Sequence, residues 1–107
     1  MNNQELKIKF DEVQNKIADA RKNNQDVKVL LKEKYELLKI GFARIKRETS
    51  SEKFDKNPKK YSTLLSYVNT MKETAKEGGI SLSEAETLEK DIKAEMKKNN
   101  LDWLLNK

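Results

Sequence analysis

At 107 residues, 36% of them hydrophobic and 38% charged, the chain is expected to form one small domain spanning 1–107. It has no cysteine and no histidine, which excludes disulfides, thiolate nucleophiles, the commonest general base and most transition-metal ligand sets. The net charge of +5 invites a nucleic-acid reading, but 20 of the 23 basic residues are Lys and Asn occurs ten times, a bias that AT-rich codons alone produce.

The apolar residues recur with a helical period, and with only 3 Gly and 1 Pro the chain reads as all-α. The first element covers residues 3–23, where Leu6, Phe10, Val13, Ile17 and Ala20 alternate spacings of four and three. "NNQD" follows, in which Asp26 or Asn24 is suited to cap the next helix.

The second helix is expected over 26–48. Leu31, Tyr35, Leu38, Phe42 and Ile45 form its stripe, widened by Val27, Leu30 and Leu37. So wide a face suits a central bundle helix. The stripe also continues in register from the first element, broken by Asn24, Lys34 and Gly41, so one long helix with coiled-coil dimerisation is the alternative. The hairpin is preferred, because a helix of that length needs a partner along all of it.

Residues 48–57 form a polar connector holding Phe54, and Asn57 with Pro58 marks the next helix start. The third helix, 58–77, carries Tyr61, Leu64, Leu65, Val68, Met71 and Ala75, and Gly78 is expected in the left-handed position after it. The fourth, 82–98, begins with two overlapping capping-box patterns, Ser81 with Glu84 and Ser83 with Glu86. "NN" breaks it, and a short turn through "DWLL" ends the chain. Four helices with short connections imply an antiparallel up-down bundle.

No constellation calls for catalysis, and no phosphate-cradling glycine loop, calcium loop or di-iron ligand pattern is present. A non-enzymatic protein without cofactors is expected, acting by protein–protein contact as an adaptor, inhibitor or immunity-type factor of phage or plasmid association. No run approaches the ~18 apolar residues of a membrane span, and "MNNQELKIKF" lacks a signal-peptide core, so a cytoplasmic location is expected. A monomer is favoured over a dimer.

Two surfaces are candidates. Residues 26–60 hold eleven basic and six acidic side chains, a local excess equal to the whole net charge. Within it, Lys28, Lys32, Lys39 and Lys46 fall in an arc of about 40° on the second helix, and Lys56, Lys59 and Lys60 cluster in and after the connector. This ridge would suit a phosphate backbone or an acidic partner, or it is a row of rim lysines with stems over the core edge. The second candidate is Trp103 with Leu104 and Leu105, read first as a plug for the open bundle end and second as a docking peptide.

Overall fold

The computed structural model describes residues 2–106. Helices α1 (Asn3–Lys22), α2 (Lys28–Glu48), α3 (Pro58–Gly78) and α4 (Ser83–Lys98) form, with single 3₁₀ segments at Glu52–Phe54 and Asp102–Asn106. The all-α bundle expected from the sequence is present. The long continuous helix is not: the chain turns between α1 and α2, and the coiled coil that depended on it loses its basis.

That turn has a local cause. Asn24 adopts φ 55, its N–H bonds to the Arg21 carbonyl at 3.1 Å, and the Gln25 N–H bonds to the Ala20 carbonyl at 2.7 Å. This is the pair of reversed bonds that closes a helix around a left-handed residue, a role Asn fills better than other non-glycine residues. The same motif recurs after α4: Asn100 has φ 59 and the Leu101 N–H reaches the Met96 carbonyl at 2.8 Å. After α3 it is built on glycine. Here the expectation needs correcting by one residue, since Gly79 (φ 67), not Gly78, takes the left-handed position. Gly78 is the last helical residue and is buried; a Cβ there would meet the Leu31 Cβ at 3.1 Å.

Helix starts follow side-chain chemistry at all four sites. Asn2 accepts from the Glu5 N–H at 2.8 Å and returns a bond to its carboxylate, Asp26 accepts from the Lys28 N–H, and Asn57 from the Lys59 N–H. At α4 the Ser81 hydroxyl accepts from the Ser83 N–H at 3.3 Å, but the bond differs from the one expected. Leu82 occupies its cap position without a side-chain bond, and neither expected capping box closes. Glu84 reaches instead across to Lys39 on α2, 3.2 Å away.

α2 and α3 form the central antiparallel pair. α1 packs on one flank of α2 through Val13, Ile17, Leu31 and Leu37, while α4 packs through Ala85, Ile92 and Met96 against residues of α2 and α3. The wide apolar arc of α2 is needed because it serves three neighbours. Arg21 of α1 pairs with Glu77 of α3, and Arg44 of α2 donates to Asn3 at 2.7 Å, so α1 is tied down at both ends.

Candidate functional site

The predicted lysines divide into three groups. Lys28, Lys32, Lys46, Lys56 and Lys59 are exposed. Lys39 is half-buried between Glu84 at 3.2 Å and Glu36 at 3.6 Å, and the Glu84 hydrogen bond raises its pKa. With Lys39 so engaged, the exposed ammonium groups on this flank of α2 leave a gap of about 21 Å between Lys32 and Lys46, at ~1.5 Å per residue.

Lys60 leaves the exposed set altogether. It is 7% accessible, with Nζ 3.2 Å from Glu95 Oε1 and 3.5 Å from Asp55 Oδ1. The fully buried Tyr61 joins this cluster: its hydroxyl donates to the Asp55 carbonyl at 2.8 Å, faces Glu95 Oε1 at 3.3 Å and accepts from Asn99 Nδ2 at 3.2 Å. The cluster clamps the connector onto the last turn of α4, which is structural work. Burial, and after it the Glu95 carboxylate, push the Tyr61 phenol up to about 12. Below pH 10 the phenol is neutral in both folded and unfolded chains; above it the unfolded chain loses its proton first. Stability should therefore fall as pH rises from about 10 to about 12, and Tyr61→Phe should flatten that fall. Urea midpoints across this range check it, and identical pH profiles for the two proteins would contradict it.

Tyr35 contrasts with Tyr61. Its hydroxyl is buried without a hydrogen-bond partner, and burial, followed by the charge of Glu84, raises its pKa. It adjoins a 330 Å³ notch walled by Lys32, Glu36, Ser81, Ser83 and Glu84. Its walls carry two carboxylates and one ammonium group, and both carboxylates also pair with the neighbouring Lys39.

At the C-terminal segment the division of labour differs from the expectation. Leu101 is 7% exposed and joins the core with Phe42, Tyr61, Leu64 and Met96, and Leu104 packs partly against it. Trp103 remains 49% exposed and Leu105 39%. The plug is thus made by Leu101 and Leu104, and the indole keeps half its surface in water.

A feature the sequence reading missed lies on α3. Residues 61–71, "YSTLLSYVNTM", form the longest uncharged run in a chain that is 38% charged. Their outward side chains, Ser62, Ser66 and Asn69, are small, polar and exposed. On one flank opens an apolar groove of about 580 Å³, with Leu6 and Phe10 of α1 as one wall, Leu37 and Leu38 of α2 as floor and Tyr67 as the other wall. Lys7 and Gln14 form the α1 lip, Ser66 and Thr70 the α3 lip. Gly41 makes room for the Tyr67 wall: a Cβ there would lie 2.8 Å from the ring. On the other flank Ser62, Leu65, Ser66, Asn69, Thr70 and Leu104 line a second groove of about 450 Å³. The signal for this face was the missing charge, which apolar periodicity does not register.

Among the described residues no group of three or more metal-ligating side chains could hold an ion, and no helix is long and apolar enough to cross a membrane. No family model, curated protein or solved structure matches the chain.

Proposed function

We propose that this is a non-enzymatic helical protein of the cytoplasm, of the phage- or plasmid-associated accessory type, that acts by binding protein through the uncharged α3 face and the groove beside it. The observation that carries the reading is the open 580 Å³ groove with Leu6, Phe10, Leu37, Leu38 and Tyr67 on its walls and floor. Apolar side chains spaced along a groove between two helices suit an amphipathic helix or a short apolar segment of a partner. The uncharged lip of Ser66 and Thr70 lets a partner approach without desolvating a charge.

The nucleic-acid alternative draws on the five exposed lysines, but Glu36 and Glu84 stand within the α2 row and engage its middle member. Phosphate tracking wants an uninterrupted row with stacking aromatics, and α2 presents neither.

A photo-crosslinking residue at position 7, expressed in the native host, is expected to yield a protein adduct that Ser66→Arg abolishes. Ser66 is exposed, so that change should alter folding stability by no more than about 0.5 kcal/mol. Absence of any adduct, or an adduct indifferent to Ser66→Arg, would overturn the reading.

A further inference from the structure

The groove and the C-terminal turn that carries the half-exposed Trp103 lie on opposite flanks of one helix, the turn being placed there by Leu104. Ser66 and Thr70 line both the 580 Å³ groove on the α1 side and the 450 Å³ groove beside Leu104. The two concavities therefore sit side by side across α3, at the same height along it. Leu101 and Leu104 hold the C-terminal turn in its own core, so Trp103 does not cross α3 to reach the groove of its own chain. A second molecule has no such limit. A two-fold axis parallel to α3 sets the Trp103 flank of each copy against the groove of the other, which closes the assembly at two.

Resting on the reading of this face as a protein-binding surface, we propose that its occupant is a second copy of this chain, with Trp103 and Leu105 of each molecule seated against Leu6, Phe10 and Tyr67 of the other. Charge supports this choice in two ways. Two molecules of net charge +5 repel, yet the basic excess lies in residues 26–60 while α3 offers an uncharged run of eleven residues for the contact. At the edge, the exposed Asp102 next to Trp103 is the opposite charge to the exposed Lys7 on the groove's lip. Small side chains at Ser62, Ser66 and Thr70 allow the two α3 backbones a close approach.

Sedimentation equilibrium between about 5 and about 500 μM tests the proposal, with circular dichroism confirming that every variant is folded. Wild type should be a dimer. Trp103→Ala should weaken it at least about 100-fold, as loss of an aromatic anchor seated in an apolar groove does, here counted twice by symmetry. Lys7→Glu, on an exposed position, should weaken it about tenfold, and adding Asp102→Lys should return the affinity to within about threefold of wild type. A wild-type monomer at about 500 μM overturns the second copy as occupant. So does a dimer insensitive to Trp103→Ala, or one that the reversed charges fail to restore. The wider reading fails separately: a monomer that still crosslinks another protein from position 7 removes only the self-association, whereas a monomer without any adduct removes both.

Discussion

Glu95→Ala is expected to cost about 3 kcal/mol of folding stability, lowering the melting temperature by about 15 °C. Glu95 contacts both the Lys60 ammonium and the Tyr61 hydroxyl, and Lys60 is almost wholly withdrawn from water. Removing the carboxylate leaves Lys60 with one carboxylate, Asp55 at 3.5 Å, and the Tyr61 ring 5.2 Å from its ammonium. A buried cation that loses its nearer partner keeps its desolvation cost and forfeits most of the compensating attraction. Lys60→Met should be much milder, costing less than about 1 kcal/mol, because it removes the charge needing compensation and retains an apolar stem of similar length. Thermal unfolding of the two variants checks this. Equal losses would show that the cluster acts by packing, and a Glu95→Ala variant of wild-type stability would show that water reaches Lys60.

The second large effect separates two neighbours. Leu101→Ala should lose about 2 to 3 kcal/mol, because Leu101 is buried against Met96 at the reversed bond that ends α4. Trp103→Ala should lose less than about 1 kcal/mol under conditions where the chain is monomeric, since half of the indole is already in water. The order is the reverse of what residue size suggests. A larger loss for Trp103→Ala in denaturant titrations at low protein concentration would restore the indole as the plug.

Most of the fold is legible in the sequence because helix patterning and helix punctuation are local. The stripe of Leu31, Tyr35, Leu38, Phe42 and Ile45 announces α2 by period alone, and the "NN" pairs at 23–24 and 99–100 mark turns because Asn tolerates the left-handed region. The Ser81–Glu84 capping box failed for a tertiary reason. Glu84 has a choice between its own helix start and Lys39 on α2, and that alternative exists only once the helices are assembled.

The candidate surface is less legible. Helical spacing placed Lys28, Lys32, Lys39 and Lys46 in one arc, but α4 packs beside that arc and engages Lys39. Lys60 read as one more connector lysine because its partners, Asp55 and Glu95, are 5 and 35 residues away in sequence and the second arrives from another helix. Gly41 read as a break in the apolar stripe, whereas its missing Cβ is what admits the Tyr67 ring. The groove itself depends on how far α1 stands from α3, which no single element encodes.

The claim that the uncharged α3 face, rather than the lysine row of α2, is where this protein meets its partner is tested most directly by comparing crosslink yields from two positions. Position 7 lines the groove and position 32 lies in the lysine row; both are exposed. The expected result is an adduct from position 7 that Ser66→Arg removes, and a yield from position 32 at least about tenfold lower. An adduct that forms preferentially from position 32 and survives Ser66→Arg would contradict it.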